Sequence, residues 1–327
     1  MTADAVCAYG SSPATRPLIG ASLTMARIPH IENDSNNVST LHLPNKWLET
    51  SVEDRLYHFG ISKSDTKTIE KFRNVKFVCT GGSSLRIQRF AELYAINNGV
   101  TFSGNLSNTD RYIMFITNRV LWINHGIGVP SLSIMLVECV KLLHYAGATD
   151  VRFIRIGTSG GVGVEPGTVV ISNGALNGLL QPKHIQYING KLVEHDAILD
   201  EALGARLFAA ARFLGIPAER GLTFSADDFY EGQMRLDGLF CDYTQNDKAD
   251  FLSHLYALGV RNIEMESTGF AALLHRAHIP AAVVCVAIVN RMLGDQILLD
   301  KILYQDFELR PFRIVSAIIN EEDLIKN

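Results

Sequence analysis

The sequence predicts an α/β fold, one sheet of short apolar strands alternating with helices, with ligands gathered at the strand ends. Three observations predict it. Short apolar runs recur along the chain and end in glycine-containing loops; helical patterns follow those loops; and no internal repeat, low-complexity tract or linker interrupts the series. With 327 residues, 47% of them hydrophobic and 20% charged, the chain can bury a substantial core as an ordinary globular protein.

The elements follow in order. Residues 1–50 are aperiodic and contain Ser, Asn and Pro, so they are expected to be a disordered leader, with a single domain over 51–327. From Ala5 to Ile31 there is no acidic residue, and Arg16 and Arg27 stand among Ser and Thr, but the amphipathic period of a targeting segment is lacking. Val75-Lys-Phe-Val-Cys-Thr80 reads as a strand, turned by Gly81-Gly-Ser-Ser84 into a helix over 85–97. Val120-Leu-Trp-Ile-Asn124 is a second strand, followed by Gly126-Ile-Gly-Val-Pro130 and a helix through Tyr145. Val151-Arg-Phe-Ile-Arg-Ile156 is a third, running into a glycine loop, Gly157-Thr-Ser-Gly-Gly-Val-Gly163. Helical patterns recur at 197–214, 248–258 and 268–277, and Ala281-Ala-Val-Val-Cys-Val-Ala-Ile-Val289 reads as a buried strand.

Composition excludes several classes. A formal net charge of −4 argues against general nucleic-acid binding while leaving room for a local anion pocket. No apolar run has the length of a membrane-spanning helix. Five cysteines (Cys7, Cys79, Cys139, Cys241, Cys285) are scattered and mostly sit in apolar runs, which fits buried thiols in a reducing, cytoplasmic compartment rather than zinc ligands or a disulfide framework.

The segment Asp228-Phe-Tyr-Glu-Gly-Gln-Met-Arg-Leu-Asp237 carries the most chemistry. Gln233 and Arg235 stand two residues apart behind an aromatic pair, and in an extended or tightly turned backbone both heads point the same way. An amide offers a donor beside an acceptor and a guanidinium offers donors in a fixed fork, the complement of a uracil edge. A solvated turn holding Asp–Arg pairs is the bland alternative. No glycine loop matches a Walker-type pattern, and the spacing in 157–163 is wrong for a dinucleotide fingerprint. The glycines instead allow backbone N–H groups to approach an anion. Arg86, Arg111 and Arg155, converging with such amides, would make a phosphate pocket, although Arg155 inside an apolar strand equally suits a structural ion pair. Glu264 and Glu266, in Asn262-Ile-Glu-Met-Glu-Ser267, are either acids at a helix start or acceptors for a vicinal diol.

Arg155-Ile-Gly-Thr-Ser-Gly-Gly161, Phe229-Tyr-Glu-Gly-Gln-Met-Arg235 and Asn262-Ile-Glu-Met-Glu-Ser267 together resemble the uridine phosphorylases, of the nucleoside phosphorylase I superfamily, and most closely those of the animal type. Leu56-Tyr-His-Phe59, Val75-Lys-Phe-Val-Cys-Thr-Gly-Gly82, Asn124-His-Gly-Ile-Gly-Val-Pro-Ser131 and Val289-Asn-Arg291 match in order, so the resemblance runs from about Arg55 to the C-terminus. It implies a three-layer α/β/α sandwich around a central mixed β-sheet. It also implies phosphorolysis of uridine, and of 2′-deoxyuridine, to uracil and the pentose 1-phosphate, with inorganic phosphate as co-substrate and no metal or organic cofactor. By the resemblance, Gly82, Arg86, Arg111, Arg155 and Thr158 hold phosphate, together with His58 from a neighbouring subunit. Glu266, Met265 and His58 meet the ribose. Gln233, Arg235, Phe229, Ile288, Val289 and Arg291 surround the uracil, under a closing loop Met292-Leu-Gly-Asp-Gln296; Arg235, Gln233, Glu266 and Arg155 carry the catalysis. A homo-oligomer is implied, a dimer for animal-type members. Two features depart from the family pattern: Met234 stands where vertebrate members have glycine, and Asp227 adds an acid before the aromatic pair. The superfamily's purine phosphorylases place Asp near the base where this chain has Asn290-Arg291, and its nucleosidases need no phosphate clamp. A non-catalytic nucleoside binder is the alternative outside enzymes.

Overall fold

The protein is described by a computed structural model over residues 40–41 and 43–325. The expected disordered leader falls mainly on residues 1–39, outside the described residues. Its last stretch departs from the expectation. Thr40 bridges Thr149, Leu41 is buried with its carbonyl accepting from His144 Nδ1 at 2.7 Å, and α1 (Lys46–Thr50) is capped by the Asn45 side chain. Leu41, with Leu43 packed against the same core, ties down a segment that lacks any period of its own.

The chain then forms a small antiparallel pair, β1 (Arg55–Leu56) and β2 (Ile61–Ser62), and a short helix, α2 (Thr66–Ile69). β3 (Phe77–Gly81) leads to α3 (Ser84–Asn98), which the Ser83 hydroxyl caps at its start and left-handed Gly99 ends. β4 (Met114–Thr117) and β5 (Val120–Asn124) form a hairpin before α4 (Gly128–Tyr145). β6 (Arg152–Gly161), β7 (Val169–Leu176), a hairpin of β8 (Lys183–Ile188) with β9 (Lys191–Asp196), and α5 (Glu201–Phe213) follow. β10 (Ala218–Ser225), α6 (Gln245–Ala257), β11 (Val260–Glu264), α7 (Ser267–Arg276), β12 (Ala281–Asn290) and α8 (Lys301–Ile325) complete the chain.

Eight strands make one mixed sheet in the order β11-β10-β7-β12-β6-β3-β5-β4. The β7–β12 and β4–β5 pairs are antiparallel, while β12–β6, β6–β3 and β3–β5 are parallel. β11 also pairs antiparallel with the end of β6, through Asn262–Gly161 and Ile263–Gly160, so one side of the sheet curls back on itself. Alternation along the central strands sorts side chains to two faces. Val78, Leu121, Phe153 and Val283 pack with α4 and α7; Phe77, Trp122, Ile154 and Val284 pack with α3, α5 and α8. That is the expected three-layer sandwich.

One expectation about an element is overturned. Residues 157–161 are not a loop: β6 runs through them, paired with β12 on one side and β11 on the other. The glycines there make room for side chains. A Cβ on Gly157 would lie 2.9 Å from Cys285 Sγ and 3.0 Å from Arg155 Nη1, and one on Gly160 would lie 2.7 Å from Arg291 Cγ. Among the described residues no helix is long and apolar enough to cross a membrane.

Candidate active site

The C-terminal ends of β3, β5, β12 and β11, with the middle of β6 and the segment after β10, surround a cavity of about 510 Å³. Twelve of the fourteen residues that the resemblance assigns to the site line it: Gly82, Arg86, Arg155 and Thr158; Met265 and Glu266; and Phe229, Gln233, Arg235, Ile288, Val289 and Arg291. They come from five separate parts of the chain, and the parallel register of β3, β6 and β12 is what aligns them.

Two do not join them. Arg111 has 73% of its side chain exposed, with Asp110 at 3.9 Å as its only ion-pair partner among the described residues. His58 lies 40% exposed on a different face, lining a separate cavity beside α4. The expectation that Arg86, Arg111 and Arg155 converge within one chain is therefore corrected. Arg111 follows the Thr109 turn, whose hydroxyl donates to the His58 carbonyl, so Arg111 and His58 share one exposed patch. His58 is held there by the buried Glu138 carboxylate, which accepts from the His58 and Phe59 amides at 3.0–3.1 Å and lies 2.7 Å from His58 Nδ1. That leaves the Nε2 edge as the part of the ring without this anchor.

Both carboxylates of the β11 end serve Arg155. Its guanidinium meets Glu264 at 2.9 Å and pairs with Glu266, and all three groups are buried. Burial opposes the Arg155 charge, but the two carboxylates hold it above the ordinary arginine value. Burial pushes the Glu264 carboxyl up, and Arg155 offsets this only in part, with Glu266 adding to the rise. Burial works against Glu266 as well, yet Arg155 and the Gly128 amide, which donates to Oε1 at 2.6 Å, bring it below the usual range. Arg155 thus makes a buried ion pair and also lines the cavity. Glu266 is the carboxylate kept charged as an acceptor facing the cavity. Arg86 reaches Glu308 of α8 at 2.7 Å, and among the described residues its Nε has no hydrogen-bond partner.

On the other side, the 228–237 segment is a tight turn rather than an extended strand. Asp228 accepts from the Tyr230 and Gly232 amides, closing a 3₁₀ turn over Glu231–Gln233, and Met234 takes a left-handed backbone at φ +53°. That conformation favours glycine, so Met234 is strained at the point where it departs from the family pattern. Met234 is not among the cavity-lining residues. Gln233 and Arg235 both enter the cavity; Gln233 is only 4% exposed. Arg291, buried beneath them, donates to the Gln233 side chain at 3.2 Å and to the Gln233 carbonyl at 2.7 Å. A guanidinium only donates, so the amide oxygen faces Arg291 and the NH₂ group is turned away from it. Arg235 stacks on Phe229, 4.5 Å from the ring centre, and grips Asp237 through two bonds of 2.8 and 2.9 Å.

Several residues of the site went unread in the sequence. Asp295, in the closing loop, accepts from Arg291 Nε at 2.8 Å and pairs with Lys248 Nζ at 2.7 Å, while its carbonyl accepts from Arg235 at 3.3 Å. Its spacing of four from Arg291 was the available signal. His125, between β5 and Gly126, is completely buried and lines the cavity. Its only signal was a histidine at a strand's C-terminal end.

A sheet whose strand ends bring together arginines, buried carboxylates and an aromatic-backed amide–guanidinium pair defines a class: an α/β protein with a polar, partly cationic small-molecule site at the carboxyl edge of its sheet. The family model described as the phosphorylase superfamily matches residues 76–320, and the chain belongs to that family. The chain is 51% identical over 280 residues to "Uridine and thymidine phosphorylase" of Caenorhabditis elegans, covering 85% of this chain and 95% of that one. It is similar to the crystal structure of uridine phosphorylase from Schistosoma mansoni in complex with uracil, with a TM-score of 0.81 at 40% identity over 84% of this chain and 97% of that one. It is also 35% identical over 283 residues to "Inactive uridine phosphorylase B" of the same organism, covering 85% of this chain and 96% of the relative.

Proposed function

We propose that the chain is a uridine phosphorylase, which converts uridine and inorganic phosphate reversibly to uracil and ribose 1-phosphate. The single observation that carries this reading is the gathering of the oxyanion-type groups and the Gln233–Arg235 pair around one cavity. Neither a metal nor an organic cofactor enters the proposed reaction.

In the proposed reaction the C1′–N1 bond of uridine breaks and a bond from C1′ to a phosphate oxygen forms. Positive charge develops on the sugar as N1 departs with the electron pair. Phosphate, held by Gly82, Arg86, Arg155 and Thr158, stabilises that charge and then captures C1′. Glu266 accepts from ribose hydroxyls, with Met265 against the sugar. Arg235 and the Gln233 amide stabilise the negative charge on departing uracil, which stacks by Phe229 and packs on Ile288 and Val289; the proton that the hydrogen phosphate gives up on becoming the sugar phosphate dianion neutralises the uracil anion. Asp237 holds the Arg235 fork in plane, and Arg291 fixes the direction of the Gln233 amide. Holding two reactants in one orientation converts a bimolecular encounter into a unimolecular step.

His58 and Arg111 lie away from the cavity of their own chain, and the patch they share is suited to complete the site of a second copy. A homodimer follows as part of the proposal, with a cytoplasmic location suited to the free thiols. A second reading, binding without turnover, is favoured by the likeness to a relative named inactive.

The test is ³¹P NMR of uridine incubated with the enzyme and phosphate. Appearance of ribose 1-phosphate supports phosphorolysis. Free ribose would assign a hydrolase, and unchanged uridine would leave the binder.

A further inference from the structure

We infer that His125 is a substrate-contacting residue, set at the seam of the phosphate and ribose sites, where one imidazole nitrogen donates to a phosphate oxygen and the other accepts from a ribose hydroxyl. The inference rests on the phosphorylase reading. Three observations on the ring lead to it.

First, the ring is completely buried and, among the described residues, neither Nδ1 nor Nε2 makes a well-formed hydrogen bond, its nearest polar neighbours being the backbone of Gly126 and of His125 itself. Buried polar groups are normally paired, and a ring of this size with no need for polarity would be better replaced by an apolar one. Second, the backbone has a fixed place. The His125 amide donates to the Gly81 carbonyl at 2.9 Å, and the His125 carbonyl accepts from the Ser131 hydroxyl at 2.6 Å. The ring therefore sits against the Gly81-Gly82 turn; a Cβ on Gly82 would stand 3.8 Å from His125 Cε1. Third, the ring belongs to the cavity wall between groups of opposite charge: Arg155 disfavours a proton on it and Glu266 favours one.

Burial, reinforced by Arg155, brings the imidazole down to about 4, so it is neutral at pH 7. A neutral imidazole has one N–H and one lone pair. Phosphate dianion presents acceptors and a ribose hydroxyl can donate, so the two ligands together satisfy both nitrogens. The same ring then fixes the attacking oxygen relative to C1′.

The experiment uses the full-length oligomer and two variants, His125→Phe and His125→Asn, with phosphate and uridine kinetics and melting temperatures. Loss of a bond to an anion should raise the KM for phosphate about tenfold to a hundredfold in H125F, with H125N recovering part of the loss. The unliganded melting temperature of H125F should equal or exceed the parent's, and the upward shift on adding phosphate should shrink. A structural role predicts the reverse, a lower melting temperature with phosphate KM within twofold, and that result would overturn the inference. Should H125F not fold, imidazole ¹⁵N NMR of the unaltered protein decides, using H125N to assign the resonance: phosphate must move the His125 signals, and a signal that stays put refutes the contact. Failure of the parent enzyme to form ribose 1-phosphate would sink the phosphorylase reading itself; a competent parent with an indifferent H125F sinks this inference alone.

Discussion

Replacing Arg235 by alanine tests the uracil-anion half of the mechanism. The Arg235 side chain is largely buried, stacked on Phe229, and aligned by the two bonds it donates to Asp237, so it is a preorganised donor facing the cavity. Uridine in its ground state carries no charge for it to meet; the departing base does. Removing one such donor from a developing anion costs about 3–4 kcal/mol in the barrier. At 1.36 kcal/mol per factor of ten this is a fall in kcat of roughly 10²–10³. Binding of uncharged uridine loses one guanidinium contact to a neutral base, so KM should rise by less than about tenfold. The assay is initial-rate phosphorolysis at saturating phosphate over a range of uridine concentrations. Arg235→Lys should recover little, because an ammonium lacks the planar fork that Asp237 aligns. An unchanged kcat with a raised KM would refute the reasoning and make Arg235 a ground-state binder.

Three further outcomes are expected. If His58 serves the partner's site, H58A and R86A should each lose activity as pure proteins, while co-refolded mixtures of the two should regain about a quarter of the parental rate, since only mixed dimers rebuild one whole site; no recovery would contradict a His58 supplied by the second copy. Asp295→Asn should raise the KM for uridine about three- to tenfold with a smaller change in kcat, because it loosens Arg291 and Lys248 behind the turn that carries Gln233 and Arg235; equal falls in kcat and kcat/KM would give Asp295 a role in the transition state. Stability should fall as pH drops from 6.5 to 4, since in that window the unfolded chain takes up a proton on His125 that the folded protein refuses, the ring being buried beside Arg155 with Glu266 only partly opposing. The effect is up to about 3 kcal/mol in unfolding free energy, and H125F should flatten that limb of a urea-denaturation pH series; an unaltered limb would contradict a neutral buried ring.

Much of the fold was legible because strand and helix periods are local. The β3, β5 and β12 strands and the helices behind them were readable to within a few residues, as each is a clean apolar run closed by glycine or a cap. The β6 glycines misled for a physical reason. Glycine in a strand means either a turn or a close approach, and the approaching groups, Cys285 and Arg291, lie more than a hundred residues away. The long C-terminal helix α8 went unread although it supplies Glu308 to Arg86 and the wall over α3. Within the site, residue types with an obvious chemistry were found. Asp295 and Lys248 escaped because their importance is relational, fixed only when the chain brings Arg291 beside them. Arg111 escaped in the opposite sense: sequence placed it with the other arginines, and only the fold separates them.

The most direct test of the account is a crystal structure of the protein soaked with phosphate and uracil together. Phosphate is expected in contact with Arg86, Thr158 and the Gly82 amide, with uracil edge-on to Gln233 and Arg235 over Phe229 in the same cavity. Uracil bound elsewhere, or phosphate lying apart from Arg86 and Arg155, would contradict it.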